Sequence, residues 1–203
     1  MTTINRTTLP AIGSPFEGGF YMGLYLLAGQ LQALIRAPAA EGFNAPQPWG
    51  QCGTMIAGAN SFNDGQANTR AMAEAECPHA TWALSLSIGG HQDWFIPSRD
   101  ETEIVYRVCK PTTEENYCSF RDGDNPSSVP AGYPYTAESP AQSSIAAFCQ
   151  GGAEALEDCS YWTSTQNGPY GAWIQYFDGG TQNGVGKVNA RPAFAVRRIT
   201  VTP

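Results

Sequence analysis

The side chains able to do chemistry are few in this sequence. It holds two histidines, His79 and His91, and the nearby acids are Asp93, Asp100 and Glu101. Neither G-x-S-x-G nor H-E-x-x-H occurs, so neither a serine nucleophile on a strand-to-helix turn nor a helix-borne zinc protease site has a basis here. Six cysteines stand at positions 52, 77, 109, 118, 149 and 159 without any C-x-x-C, which leaves zinc-ribbon and thioredoxin-type readings unsupported. The even number permits three disulfides, of which Cys52 with Cys77, Cys109 with Cys118 and Cys149 with Cys159 are the simplest sequence-local pairs. Free buried thiols are the alternative.

Asp122-Gly123-Asp124-Asn125 and Asn63-Asp64-Gly65 are short acidic turns, too incomplete for a calcium loop, since that ion wants six to eight oxygens around it. No metal and no cofactor is therefore expected. Paired-carboxylate hydrolysis stays open in form, because the separation of two acids in space is not written in a sequence. Binding, rather than catalysis, is the expected chemistry.

Composition narrows what can be bound. In 203 residues there are 11 basic and 18 acidic side chains, a formal charge of -7, and the only lysines are Lys110 and Lys187. Nucleic acid is excluded as a partner, because affinity for a phosphate backbone comes from clustered Lys and Arg. The most apolar stretch, Phe20 to Ile35, is interrupted by Gly23, Gly29, Gln30 and Gln32 and falls short of a membrane span. Residues 1–19 carry Arg6 as their one basic group, contain Pro10 and Pro15, and lack the apolar core of a secretory signal. Gly (22) and Pro (15) are abundant and only 14% of residues are charged, which favours a turn-rich fold with a neutral polar surface over a helical bundle.

The elements follow from local pattern. Residues 1–17 are polar and aperiodic and read as an arm or docking segment; 18–203 read as one domain. Gly19 to Pro38 holds two apolar runs around Ala28-Gly29-Gln30, a β-hairpin with Gly29 supplying a positive φ; a single amphipathic helix is the competing reading. Pro38, Pro46, Pro48, Trp49 and Gly50 punctuate loops with short strands up to Gly65. Gln66 to Glu76, ending before Pro78, predicts a helix, and Ala80 to Ile88 a second short one. Ser98 and Glu101 form a capping box that opens a helix over Arg99–Cys109, with Ile104, Val105 and Val108 on its apolar face. Ser139-Pro140-Ala141-Gln142 predicts another helix, closed by Gly151-Gly152, with Ile145, Ala146 and Phe148 inward. Between these two, Pro111 to Glu138 is a long irregular excursion of the kind that is often functional. From Ser160 the period changes to two, giving strands YWTSTQ, AWIQYFDGG and RPAFAVRRITV, read as an antiparallel meander.

Two runs carry a family likeness: Gly89-Gly90-His91-Gln92-Asp93-Trp94-Phe95-Ile96-Pro97-Ser98-Arg99-Asp100-Glu101, and Tyr161-Trp162-Thr163-Ser164-Thr165 followed by Ala172-Trp173, Phe177-Asp178-Gly179-Gly180 and Val196-Arg197-Arg198. They resemble the Lcl C-terminal-like family, domains of unknown function with a C-type-lectin-like fold found in bacterial surface proteins and phage tail genes, and the likeness covers most of residues 18–199. The resemblance implies an α+β fold: a C-type-lectin-like domain with an N-terminal β-hairpin, two to three helices, long loops and a C-terminal antiparallel sheet. It also implies neighbouring termini and a ligand surface on the C-terminal strands. The Glu-Pro-Asn and Trp-Asn-Asp motifs of calcium-dependent sugar binding are absent, and no cysteine follows Cys159, where the similar-fold formylglycine-generating enzymes need theirs.

Trp94, Trp162, Trp173 and Phe177 read as structural core, because large aromatics at such spacing bury well. Asp93 is expected to bond loop backbone, and of Arg197 and Arg198, on opposite faces of a strand, one is expected in an ion pair and the other in solvent. If Trp173, Gln175 and Phe177 point inward, then Ala172, Ile174, Tyr176 and Asp178 point outward. With Asn167, Tyr170, Thr181, Asn183, Val185, Lys187 and Asn189 they make a candidate receptor-binding face rich in Tyr, Asn and Gly, as antibody loops are; an ordinary polar hairpin is the other reading. The expected function is that of a non-enzymatic phage virion protein, at the tail tip, fibre or baseplate, binding a host-surface protein or polysaccharide. It would act as a homo-oligomer, by analogy a trimer, with the arm docking on other virion proteins. A capsid or tail decoration or adaptor without receptor binding, and a bacterial surface adhesin, are the alternatives.

Overall fold

The computed structural model describes residues 3–118 and 122–203. With strands and helices numbered in chain order, the hairpin is β3 (Gly19–Leu27) and β4 (Gln30–Arg36), joined through Ala28 and Gly29. Both turn residues have positive φ, 49° and 78°, the two-residue turn whose twist matches that of the strands. Strand β11 (Val196–Thr202) lies antiparallel on β4, and β1 (Thr3–Asn5) lies parallel on β11. The short strands β2 (Pro15–Phe16) and β6 (Ser128–Val129) pair with the other side of β3.

The termini are adjacent, with Asn5 Nδ2 donating to the Pro203 carbonyl at 2.7 Å. Residues 3–16, read from their lack of period as an arm or docking segment, thus lie against the chain's own main sheet. They are short pieces separated by turns, and Ile4, Leu9 and Phe16 reach the same apolar cluster on one face of the sheet, too sparsely for any periodicity to register.

Two smaller sheets complete the β-structure. Strands β7 (Ser160–Gln166), β8 (Gly171–Tyr176) and β9 (Gln182–Gly186) form an antiparallel meander, and β5 (Phe43–Gln47) pairs with β10 (Arg191–Phe194). The run RPAFAVRRITV therefore leaves the meander that it was expected to close. It is divided between β10 and β11, which belong to other sheets, and the third meander strand is the polar, glycine-containing β9.

The described residues contain four α-helices: α1 (Ala39–Gly42), α2 (Gly65–Glu74), α3 (Pro78–Ser85) and α4 (Arg99–Cys109). The fold is thus mixed α+β. The helix expected after Ser139 is absent; only a 3₁₀ turn at Ala146–Phe148 forms. Backbone groups of this stretch bond to the end of α4 instead of to one another. Ser143 N donates to Lys110 O, and Gln150 N and Gln142 Nε2 both donate to Pro111 O. A local capping signal loses here to a tertiary partner.

Helix α4 is the pivot. Ser98 and Glu101 form the expected capping box, yet Glu101 is completely buried and does more than cap. Its carboxylate accepts from Ser98 N (2.7 Å), Ser98 Oγ (2.7 Å), Gly65 N at the start of α2 (3.0 Å) and Tyr25 OH on β3 (2.6 Å). The neighbouring acids are buried as well. Asp100 is held by Arg99 and Ser127, and Glu103 by Tyr135, Asn125 and Arg107. Leu34, Ile104, Val105, Tyr106, Phe95 and Val196 pack between this helix and the main sheet.

Long-range ion pairs correct two expectations. Asp93 does not bond loop backbone; it takes Arg197 in a two-pronged pair at 2.7 and 3.1 Å. Arg198 is not solvated but bonds Asp64 at 2.7 Å and Gln66 at 3.2 Å. All six cysteines are free thiols, so none of the sequence-local disulfides forms.

Two outcomes follow from the pivot. Glu101→Gln leaves one acceptor oxygen for Ser98 and Gly65 and sets an amide N–H group against Tyr25 OH, whose own proton loses its acceptor, and should lower unfolding free energy by about 1–3 kcal/mol, read from urea denaturation. A change below experimental error would show that the carboxylate is not the clamp described.

The second concerns pH. Burial raises the proton affinity of Asp100, Glu101 and Glu103. Between the ordinary carboxylate range and those raised values the folded chain binds more protons than the unfolded one, so stability falls as pH rises. Buried His79, whose proton affinity burial lowers from 6.5, acts in the opposite sense below that pH, so the comparison is made in a His79→Gln background. The thermal midpoint should be higher at pH 5 than at pH 8, as calorimetry would show, and the reverse order would refute the assignment.

Candidate functional site

The C-terminal sheet is covered on both faces along β7 and the middle of β8, with β9 as its open edge, which decides where its side chains can act. On the side of α4, Phe177 meets Tyr161 and Tyr106 edge to face, at 5.1 and 5.4 Å between ring centres. Trp173 is half-buried on this side, beside Phe62 and the Arg99 guanidinium. Its indole N–H has no partner among the described residues. The opposite side carries Ala172 and Ile174 into a cluster with Trp49, Met72, Cys77 and Trp162. Trp94, Trp162 and Phe177 are fully buried, as expected of core.

Ile174 is therefore not on a binding face. Alternation along a strand tells two faces apart but cannot say that one is wet when helices and loops cover both. Lys187 is also buried: its Nζ donates to Thr54 O at 2.9 Å and Gln166 Oε1 at 3.0 Å, and it lies over the Trp49 ring. Val185 is half-buried against the same cluster.

The asparagines serve the edge strand itself. Asn183 Oδ1 accepts from Gly184 N at 2.7 Å, and Asn189 Nδ2 donates to Gly186 O at 2.8 Å. Asn167 lies across Gly184, where an added Cβ would come within 1.8 Å of its Nδ2. Edge strands with their own backbone groups engaged are poor templates for a further strand. Tyr170 is exposed, but it sits at the β7–β8 turn, the far end of the sheet from Tyr176.

Three of the expected residues do converge. Tyr176, Asp178 and Thr181, around the β8–β9 turn, line a cleft of about 310 Å³ together with Tyr117. A wider cleft of about 700 Å³ shares Tyr117 and Asp178 and adds Glu114, Glu115 and Asp158. Sequence reading missed Tyr117, Glu114 and Asp158, because they come from the irregular excursion and from the segment before β7. The available signal was an aromatic residue beside paired acids in a loop too long for mere connection.

Buried polar groups hold this cleft in shape. Lys110, at the end of α4, donates to the Glu114 carbonyl and to Asn116 Oδ1 (2.9 Å). Asn116 in turn accepts from Tyr106 OH (2.6 Å) and donates to Pro140 O (2.9 Å) and Thr136 O (3.1 Å). Tyr117 N donates to Gly179 O at 2.8 Å, and Asp178 Oδ1 accepts from Gly179 N at 2.6 Å. From the other side, Asp122 accepts from Gln182 N at 3.0 Å and Thr181 Oγ1 at 3.4 Å.

Desolvation, with the charges of Asp178 and Glu114, raises the proton affinity of Asp158. Two or more carboxylates thus share the cleft, flanked by tyrosine faces and a threonine hydroxyl. Such a surface accepts hydrogen bonds from hydroxyl or ammonium groups and stacks rings. The histidines lie elsewhere: His79 bonds Gln47 O, Arg191 O and Asn44, and His91 pairs with Glu17. Among the described residues there is no group of three or more His, Cys, Asp or Glu able to hold a metal, and no helix long and apolar enough to cross a membrane.

Gly179 seats the Tyr117 ring, since an added Cβ would stand 2.4 Å from Tyr117 Cδ2. Gly179→Ala should displace the ring and loosen the bond to Gly179 O at a cost of about 1 kcal/mol. A high-resolution structure of the variant checks this, and an unmoved Tyr117 would contradict it.

No family model matches the chain, and no curated protein matches it in sequence.

Proposed function

We propose that this chain is a non-enzymatic phage virion protein of the tail tip, fibre or baseplate, which binds a host-surface receptor at the end of its C-terminal sheet. Its membership of the Lcl C-terminal-like family, with a C-type-lectin-like fold, belongs to the same proposal. The observation that carries it is the cleft in which Tyr117, Tyr176, Asp178 and Thr181 meet beside Glu114 and Asp158. Aromatic faces next to hydrogen-bond acceptors suit a neutral or amine-bearing polysaccharide, and the acidic lining disfavours a phosphate-rich one. Support for the family comes from the roles of its motif residues: Asp93 and Arg197 join distant segments, and Ser98 and Glu101 sit at the pivot of the fold. A homo-oligomer, by analogy a trimer, would multiply a weak single site through avidity. The structural adaptor alternative rests on the N-terminal arm and the Pro-rich loop, and of that arm Thr3–Asn5 and Pro15–Phe16 pair within the chain's own sheet.

The test is adsorption of the purified protein to intact host cells, beside Tyr117→Ala and Asp158→Asn. Both positions are exposed, so the variants should keep their circular dichroism spectrum while binding falls about tenfold or more. Unchanged adsorption would remove the cleft as the receptor site. Release of reducing sugar during incubation would replace binding by carboxylate-assisted hydrolysis.

A further inference from the structure

A second concavity lies away from the C-terminal sheet, between helix α2 and the outer part of strands β4 and β11, with a volume of about 390 Å³. That is within the size range of small-molecule sites. Its walls are unusual for the space beneath a helix. Where a packed core would place apolar residues, β4 offers Gln30 and Gln32, β11 offers Thr200, and α2 offers Gln66 and Arg70 one turn apart. Leu27 and Ile199 are the apolar contacts.

The polar groups are positioned before any ligand arrives. Gln32 and Thr200 are register partners on adjacent strands, and the Gln32 Oε1 accepts from Thr200 Oγ1 at 3.3 Å. Gln32 is 4% exposed, and its amide N–H groups make no hydrogen bond among the described residues. Arg198 is fixed by Asp64 and Gln66, and Arg197 by Asp93. Arg70 is exposed and has no ion-pair partner among the described residues. The groove thus holds one guanidinium without an ion-pair partner among the described residues, that of Arg70, beside amides, a hydroxyl and the carboxylate of Asp93, which Arg197 neutralises, in a chain whose net charge is -7.

We infer that this groove binds a carboxylate-bearing polyol, such as an acidic monosaccharide unit. A guanidinium takes a carboxylate in two parallel hydrogen bonds, which assigns the acid group to Arg70. The amides of Gln30, Gln32 and Gln66 both donate and accept, and the Thr200 hydroxyl, its proton given to Gln32, still accepts, which is what sugar hydroxyls require. Doubly charged phosphate fits less well, because the other cations lining the groove, Arg197 and Arg198, are already paired with Asp93 and Asp64.

The experiment is calorimetric titration of the full chain with D-glucuronate, D-glucose and inorganic phosphate. Saturable glucuronate binding is expected, with glucose and phosphate at least about tenfold weaker. Arg70→Gln should weaken glucuronate about tenfold and leave the thermal midpoint unchanged, since the side chain is exposed. Arg70→Lys, which keeps the charge and loses the fork, should fall between the two. Absence of saturable glucuronate binding, equal binding by Arg70→Gln, or tighter phosphate binding would overturn the inference. So would loss of glucuronate binding in Tyr117→Ala, which would move the site to the cleft and leave the receptor reading standing.

Discussion

A single buried carboxylate, that of Glu101, fixes the relation between the layers of this molecule. Its four hydrogen bonds come from the main sheet through Tyr25, from the start of α2 through Gly65, and from the cap of its own helix through Ser98. A carboxylate without these donors would not persist in such a place, because an unpaired buried charge costs several kcal/mol. The requirement runs both ways: the sheet, α2 and α4 can take only the arrangement that presents all the donors at once. Helix α4 then carries the constraint across the molecule. Its 11 residues span about 16 Å, and at the far end Lys110 grips the loop that presents Glu114 and Tyr117. The cleft loop is thereby tied to the helix whose other end Glu101 fixes.

The same economy of charge runs through the chain. Only 14% of residues are charged, yet Arg36, Arg99, Asp100, Glu101, Glu103, Lys110, Lys187 and Arg197 are all buried. Some are matched locally, as Arg99 with Asp100, and others by partners that only the native topology supplies, such as Asp93 for Arg197 or Thr54 O for Lys187. Buried ion pairs add little net stability over apolar packing. Where they join segments as distant as Asp93 and Arg197, their effect is to penalise alternative pairings of short strands, the main hazard for a fold with so many turns. It also leaves a surface on which neutral polar groups and a few concentrated charges stand out.

What the sequence revealed was what is decided locally. The hairpin at Ala28-Gly29, the helix from Gly65 and the capping box at Ser98 rest on contacts within a few residues and formed within a residue or two of where they were expected; the short helix expected over Ala80 to Ile88 runs instead over Pro78–Ser85, with Pro78 in its first turn rather than only ending the helix before it. The Ser139 signal was equally local and failed, because Lys110 O and Pro111 O offered its backbone better partners than the next turn of a helix. Strand alternation marked Trp173, Gln175 and Phe177 as one side of β8 correctly, but placed Ile174 in solvent where Met72 and Trp49 cover it. The juxtaposition of an isoleucine with Tyr176 on a supposedly wet face was already an inconsistency pointing to that cover. The cleft draws on residues 113–117, 158 and 176–181, and no local pattern joins segments so far apart.

The two concavities carry opposite local charge, and this limits how they can be used. A net charge of -7 repels anions at long range, but the repulsion is screened over about 8 Å at physiological ionic strength. The acidic cleft can draw on that field, so neutral or cationic groups on a large surface meet it without penalty. The groove at Arg70 cannot. It acts only on a ligand already within a few ångströms, where a guanidinium and pre-set amides outweigh the distant carboxylates. A surface polymer first held at the cleft would meet that condition, since tethering replaces diffusion against the field by a high local concentration. On the two proposals above, charge placement would order the sites: the cleft for first contact, the groove for selecting among ligands already held.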